Sequence, residues 1–390
     1  MDKQMSSVIR RYYGFSFLTG FHFIAAVLIP FFTDWGGLNL TQAQLLQSWF
    51  ALNIFVLEVP TGVLADRMGR KNSLVAGSLV AAAGALIYGS YPSVTLFVIG
   101  ESLLAVNVAL VSGADQALIY DALKLGGEEQ RITQVVGRSR MFHLSGILIA
   151  APLGSIIAQT LGTNAPMLMT SIPCVLSAVV AWTLPEADTT GKTATRSTAI
   201  NIFKNGFIGI IQQKMILMTA INMSLVAAAA YAVIWRYQLV METLDIPIGY
   251  YGLAHASLVV AETVILMNFD RLTGWFGTIN RFASFSAYVV TAGFLVVAIW
   301  PNILTLAMFL ALAGGFGLSR IDLLTAHMNH RFDSEYRATS LSSISMFRRL
   351  SLVILNPIMG GLTDWSLSYS LIIIGLLPLL TIFFPLPNDD

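Results

Sequence analysis

Three residues that could carry protons or bind a polar ligand recur with helical spacing in the second half of the chain. Tyr251, His255 and Glu262 follow one another at intervals of four and seven residues, within a mostly apolar segment. On an α-helix these intervals place the three side chains along one face. The pattern therefore predicts a polar stripe that could line a cavity between helices.

Seven further polar residues lie inside apolar segments, where a charged side chain costs roughly 2.5 to 3.5 kcal/mol and usually faces a wet cavity or a partner. They are His22, Glu101, Asp115, Asn222, Arg320, Arg349 and Asn356. Glu101 and Asp115 are fourteen residues apart, so on one unbroken helix they point the same way at different depths. For each residue, the alternative is a hydrogen bond or ion pair that only holds helices together.

Four titratable members of this set are candidates for proton coupling, because burial and neighbouring charges change the pKa of carboxyl and imidazole groups. They are Glu262, His255, Glu101 and Asp115. Arg320 and Arg349 are candidates to bind an anionic group of a substrate or to hold a carboxylate, and Arg349 shares a helix side with Asn356.

The segments that position these residues are too apolar for a water-soluble protein. Of 390 residues, 56% are hydrophobic and 11% are charged, whereas soluble domains average about 25% charged residues. A helix crosses the hydrocarbon core with about twenty apolar residues. Twelve such segments are predicted, at 12–32, 45–65, 73–91, 94–118, 139–160, 165–184, 214–236, 247–269, 281–300, 302–328, 340–362 and 367–386. We expect an all-α membrane protein with about twelve transmembrane helices.

Basic residues predict the orientation of these spans. Lys and Arg precede the first span and follow the second, fourth, sixth, eighth and tenth spans, while the alternate loops carry neither. Cytoplasmic loops retain Lys and Arg. We therefore expect a multi-pass protein of the inner (cytoplasmic) membrane, with both termini in the cytoplasm.

An internal repeat divides the chain into two halves. A shift of 204 places Glu58 on Glu262 and Asp66-Arg67 on Asp270-Arg271. We predict two pseudo-symmetric six-helix bundles, at 1–184 and 214–390, joined by a cytoplasmic linker at 185–213. Duplicated halves that enclose a site near the membrane midplane are a common transporter architecture.

The segment from Gly62 to Lys71, Gly-Val-Leu-Ala-Asp-Arg-Met-Gly-Arg-Lys, resembles the loop between helices two and three of the major facilitator superfamily. Nine of its ten positions suit that pattern, and the span count and the repeat extend the resemblance over essentially the whole chain. The resemblance implies the fold of two six-helix bundles. It also implies that this loop acts as a cytoplasmic latch between the halves, whereas the alternative is a turn with ordinary cytoplasmic positive charge.

The chemistry of this motif suits such a latch. Gly62 would allow a neighbouring helix to approach closely, Gly69 would support a tight turn, and Asp66 needs a basic partner or a helix N-terminus. The resemblance makes Asp121 the partner of Arg70. The predicted gate residues are Gly62, Asp66, Arg67, Gly69, Arg70, Lys71 and Asp121.

Two other family patterns are altered. Where the family often has an arginine and a glycine-rich run on span four, this chain has Glu101-Ser102-Leu103-Leu104, which weighs against proton coupling through an arginine. On span five, Gly146 to Gly154 is weakly similar to the glycine-proline motif of antiporters and favours export. Packing of small residues is the alternative for the second pattern.

The resemblance implies a secondary active transporter that works by alternating access around a cavity lined chiefly by spans one, four, seven and ten. We expect proton-coupled export of a drug-like compound or metabolite. Import of a nutrient or metal chelate is the alternative, and a membrane sensor or scaffold without transport is a third possibility.

Other classes of function find little support in the sequence. The net charge of +1 gives no signature of a nucleic-acid partner, and Cys174 is the single cysteine. We find no phosphate-binding loop and no metal-ligand spacing among the histidines, so we expect neither an enzyme nor a cofactor or metal. The expected partners are a small-molecule substrate, membrane lipid and protons, and we expect a monomer.

Overall fold

The computed structural model describes residues 3–186, 214–331 and 337–386, and all regular secondary structure in these ranges is helical. The helices before the long polar loop are α1 (Lys3–Thr19), α2 (Leu40–Met68), α3 (Arg70–Ser90), α4 (Val94–Val111), α5 (Ala114–Leu125), α6 (Ile132–Leu161) and α7 (Ala165–Trp182). Those after it are α8 (Lys214–Thr243), α9 (Tyr251–Met267), α10 (Phe269–Phe276), α11 (Ile279–Ile299), α12 (Ile303–Met308), α13 (Phe316–Arg331), α14 (Arg337–Trp365) and α15 (Leu367–Leu380).

The lengths and composition of these helices suit a lipid bilayer. Among the described residues, eight helical segments are long and apolar enough to cross a membrane, or nine if the bent pair Met5–Ala26 and Leu28–Trp35 counts as one span. Leu367–Phe383 is a shorter apolar helix. The remaining long helices, α2 and α14, carry more polar and charged side chains. Each of the twelve predicted spans therefore coincides with helix, and the predicted all-α membrane fold is confirmed.

Three predicted spans are interrupted. The first is interrupted at Val27, between the helical segments Met5–Ala26 and Leu28–Trp35, and the tenth contains the π-helical turn Phe309–Gly315. The fourth divides into α4 and α5 at Gly113, whose φ of 77° suits glycine. The expectation of one unbroken helix was wrong here, so Glu101 and Asp115 lie on different helices and no longer share a face by spacing alone.

The helices form two compact units. The first contains described residues 3–27 and 49–186, and its core includes Tyr12, Phe15, Leu118, Ile119 and Leu123. The second contains described residues 28–48, 214–331 and 337–386, and its core includes Ile216, Met223, Phe282, Leu324 and Met328. The division of the sequence at 184 and 214 stays a prediction. Most of the proposed linker, 187–213, lies outside the described residues.

Glycines of span five pack α6 directly against the backbone of span one in the first unit. A Cβ added to Gly154 would overlap the Phe23 carbonyl oxygen and lie 2.6 Å from the Phe23 carbonyl carbon. A Cβ added to Gly146 would overlap the carbonyl oxygen of Phe17. Gly146 and Gly154 of span five therefore have a packing role, and the similarity of this segment to the antiporter motif stays a prediction.

Candidate functional site

The predicted polar stripe lies on the buried face of α9. Tyr251, His255 and Glu262 are each 5% exposed. The hydroxyl of Tyr237, on α8, lies 3.2 Å from Nδ1 of His255. The structure thus places two titratable side chains, His255 and Glu262, inside the second unit on one side of a single helix.

Arg320 lies in a network of neutral groups rather than against an acid. Its side chain is 1% exposed; Nη1 donates to the Ala283 carbonyl at 2.8 Å and to Ser286 Oγ at 3.1 Å. Nη2 donates to Asn222 Oδ1 at 3.0 Å. Among the described residues, no carboxylate pairs with this guanidinium. Asn222 and Arg320 therefore come together, but each has protein partners that occupy it.

Asn222 also ties α8 to the end of the chain. Its Nδ2 donates to the carbonyl oxygens of Phe384 at 2.7 Å and Thr381 at 3.2 Å, and the side chain is 2% exposed. These bonds satisfy two carbonyls near the C-terminal end of α15. This geometry favours the structural alternative for Asn222, and its place in a substrate cavity stays a prediction.

The candidates of the first unit are separate from one another. Glu101 is buried and accepts a hydrogen bond from the Tyr88 hydroxyl at 2.8 Å, so it faces α3. Asp115 lies in the first turn of α5, where the helix dipole favours an anion, and accepts from the Gln116 amide at 2.7 Å. His22 directly precedes the 3₁₀ turn Phe23–Ala26 in span one.

The last two candidates share α14. Asn356 is buried, whereas Arg349 is partly exposed.

Within the parts of the chain that the structure describes, no three His, Cys, Asp or Glu side chains are grouped to hold a metal ion.

The motif between α2 and α3 is a tight turn with an ion pair behind it. Gly69 has φ 93°, which favours glycine, and Arg70 contacts Asp121 and donates from Nη1 to the Ala117 carbonyl at 2.8 Å. The pairing of Arg70 with Asp121 is the one that the resemblance implies. The role of these residues as a gate stays a prediction.

Other parts of the motif are open to solvent or are not described. No atom of the described chain lies within 4 Å of a Cβ built on Gly62, and the approach of a neighbouring helix at Gly62 stays a prediction. Arg67 is exposed, and Lys71 Nζ lies 5.4 Å from the centre of the Trp182 ring. The side chain of Asp66 lies outside the described part of the structure.

Glu186, which the sequence reasoning missed, caps the N-terminus of α3. Its carboxylate accepts from the backbone N–H groups of Arg70 at 2.7 Å and Lys71 at 2.9 Å. Gly69, at the N-cap position, has no side chain to satisfy these donors. An acid just after span six was the available signal. Glu186 therefore fixes the start of α3 beside the motif.

Glu186→Gln is expected to weaken this cap, because the amide carries no charge for the helix dipole and accepts through one oxygen only. The expected loss is about 1 kcal/mol of unfolding free energy, with faster amide hydrogen exchange at residues 70 and 71. Glu129→Gln, at an exposed position on the same unit, is the control and should leave both unchanged. Unaltered exchange at residues 70 and 71 would contradict the capping role.

Comparison with known proteins assigns this architecture to a family. The family model described as Major Facilitator Superfamily matches residues 12–355. The chain belongs to the Major Facilitator Superfamily.

Two curated relatives match parts of this major facilitator. The inner membrane transport protein YajR of Escherichia coli (strain K12) is 30% identical over 141 residues, which cover 36% of this chain and 30% of that protein. A glucose/galactose transporter of Brucella abortus biovar 1 (strain 9-941) is 28% identical over 142 residues, covering 36% of this chain and 34% of that protein. The matches thus span about a third of the length of these relatives.

Solved structures share the fold of this major facilitator over nearly its whole length. The nucleoside transporter NupG has a TM-score of 0.82 at 12% identity, covering 96% of this chain and 97% of that one. A bacterial homologue of the human lysosomal transporter Spinster has a TM-score of 0.72 at 14% identity, covering 98% and 95%. At these identities the likeness establishes the fold alone.

Arg236 is a second buried cation of this major facilitator that the sequence reasoning missed. Span seven was predicted to end at residue 236, whereas α8 continues to Thr243. Arg236 is 1% exposed, and its Nη2 donates to the Met359 carbonyl and to Thr363 Oγ1, each at 2.8 Å. It joins α8 to α14, and only the long-range contact could have identified it.

Asp364, also missed, caps α2 within the second unit. Its Oδ1 accepts from the Leu40 N–H at 2.9 Å, and Oδ2 accepts from the Thr41 N–H at 2.8 Å and the Thr41 hydroxyl at 2.5 Å. The carboxylate of Asp364 thereby holds the start of α2 against the end of α14.

Proposed function

We propose that this major facilitator is a secondary active transporter that moves a small organic solute across the inner membrane by alternating access. The observation that carries the proposal is the titratable stripe of α9, buried in a membrane helix where a charge is costly. The interruptions of spans one, four and ten add support, because broken membrane helices often mark transporter binding sites.

Proton coupling is the second part of the proposal. Glu262 and His255 lie on one buried face, so a proton bound there changes the charge of a site from which water is largely excluded. The hydroxyl of Tyr237 beside His255 can accept or donate a hydrogen bond as the imidazole changes state. Glu101 and Asp115 are the corresponding candidates in the first unit.

Export of a drug-like compound or metabolite is the proposed direction, on the weak similarity of span five to antiporters. Import of a nutrient or metal chelate is the second candidate. It is supported by a curated relative described as a glucose/galactose transporter, with a nucleoside transporter among the solved structures that share the fold. A sensor or scaffold would show no flux at all.

The last part of the proposal concerns the orientation of the chain in the membrane and its division into two halves. Both termini are proposed to lie in the cytoplasm, which places the turn at Gly69 and the Arg70–Asp121 pair on the cytoplasmic side as a gate. Two pseudo-symmetric bundles, 1–184 and 214–390, would form the two moving halves of a monomer.

The test is solute flux in proteoliposomes under imposed pH gradients of both signs, with nucleosides, hexoses and fluorescent drug-like compounds as probes. We expect the gradient to accelerate flux of one class by the wild-type protein, and Glu262→Gln to remove that acceleration. Loss of the exchangeable proton at Glu262 is the physical reason. Glu129→Gln, at an exposed position, should behave as wild type.

Each outcome bears on a separate part of the proposal. Gradient-dependent flux that survives Glu262→Gln would remove the coupling role of this residue. The sign of the gradient that drives accumulation distinguishes export from import. Absence of flux for every probe, from protein shown to be folded by its melting curve, would count against transport and for a sensor or scaffold.

A further inference from the structure

A cavity of about 400 Å³ lies in the second unit, and its lining residue Glu242 is close enough to Tyr251, at the start of the α9 stripe, for the two side chains to interact. It is lined by Leu40, Leu239, Glu242, Thr243, Thr363 and Leu367. Three leucines, two hydroxyls and one acid match the usual composition of a small-molecule site, which is mostly apolar with a few polar groups, and the volume is within the usual range of roughly 300 to 1,000 Å³. The site is at the end of α8 that the basic-residue pattern predicts to face outward.

Glu242 is the charged residue of this lining, and its surroundings make a positive partner favourable. It lies in the last turn of α8, where the negative end of the helix dipole disfavours an anion. Its carboxylate makes no hydrogen bond or ion pair with the part of the chain that the structure describes. Asp34 is close enough for the two carboxylates to interact. The negative charge at this cavity is therefore uncompensated by protein groups.

Neighbouring charges do not neutralise Glu242. Arg236, six residues earlier on α8, is 1% exposed and donates to Met359 and Thr363 of α14. Asp364, next to the lining residue Thr363, is engaged by the start of α2. The loops predicted to face outward contain no Lys or Arg.

We propose that this cavity binds a lipophilic organic monocation, with its apolar body against Leu40, Leu239 and Leu367 and its charge near Glu242. Glu242 is exposed, so its attraction to the cation is that of a partly exposed ion pair, and the apolar contacts with the three leucines add to it. The proposal rests on the proposed transport function in one respect, since it names the class of solute that would be transported. Binding of the cation can be measured whether or not the protein transports it.

The test is equilibrium binding to the purified full chain, with tetraphenylphosphonium and tetraphenylborate as probes of nearly equal shape and opposite charge. We expect saturable binding of the cation and none of the anion. Glu242→Gln should weaken cation binding roughly two- to fivefold, as for a partly exposed ion pair. Thr243→Trp should abolish it by filling the cavity. Asp245→Asn, an exposed acid outside the lining, is the matched control and should bind as wild type.

Melting curves of each variant show that the protein is folded before binding is compared. Equal binding of the anion, or unchanged cation binding in both Glu242→Gln and Thr243→Trp, would overturn the site. Because no gradient or flux is measured, cation binding without transport would support the site while the proposed function fails. Flux of other solutes without cation binding would overturn the cation site and leave the proposed transport function standing.

Discussion

Gly154→Ala is expected to destabilise the first unit strongly. The added Cβ would overlap the carbonyl oxygen of Phe23 and lie 2.6 Å from its carbonyl carbon. The obstacle is backbone, so no side-chain rotation can relieve it, and α6 must move away from span one. Overpacking of a fixed interior commonly costs about 1 to 3 kcal/mol, and we expect at least about 3 kcal/mol here. A lower melting temperature in detergent, with loss of monodisperse protein, is the measurement.

Gly137→Ala is the matched control on the same helix. Outside its own helix backbone, no atom of the described residues lies within 4 Å of a Cβ built at Gly137, and alanine improves helix propensity by up to about 1 kcal/mol over glycine. Its melting temperature should therefore equal or exceed that of the wild type. If Gly154→Ala and Gly137→Ala had the same melting temperature, the packing of α6 against the backbone of span one would not be as close as described.

Most of the fold could be predicted because lipid imposes a strict rule on sequence. A spanning segment must satisfy its own backbone, so runs of about twenty apolar residues identify helices almost directly. The predicted short turns at Pro92 and Pro301 separate α3 from α4 and α11 from α12. These features depend on local composition, which a single sequence contains in full.

The interruptions and exact ends of the spans could not be predicted in the same way. Val94–Leu125 contains a stretch apolar enough to cross the membrane and has no proline, so only Gly113 marks its break. The predicted end of span seven at residue 236 assumed that a charge stays near water. Arg236 instead finds acceptors on α14, more than 120 residues later, and that contact is invisible to local reasoning.

The candidate site shows the same division between local and distant information. The α9 stripe was predictable since helical spacing alone sets which residues share a face. The partners of Arg320 come from α8 and α11, so sequence could give its burial but not its neutral surroundings. The cavity at Glu242 depends on residues from α2, α8, α14 and α15 meeting, and no spacing within one segment indicates it.

Asn222→Ala is expected to cost about 3 kcal/mol of stability even when no solute is present. Asn222 Oδ1 accepts from Arg320, and Nδ2 donates to the carbonyl oxygens of Thr381 and Phe384. Removal of the amide leaves a buried guanidinium one acceptor short and takes the donor from two carbonyls. A hydrogen bond to a charged group contributes about 1.5 to 3 kcal/mol, and an unsatisfied buried group costs about 1 to 3 kcal/mol.

The measurement is the melting temperature of solute-free protein, compared with Asn268→Ala. Asn268 ends α9 and makes one side-chain bond to the Val264 carbonyl at 2.8 Å, so its loss should cost about 0.5 kcal/mol or less. If Asn222 instead served only to bind solute, Asn222→Ala would melt like the control and lose only the stabilisation that a bound solute adds. The melting temperature without solute therefore shows whether the Asn222 amide holds α8 to the end of α15 or serves only to bind a ligand.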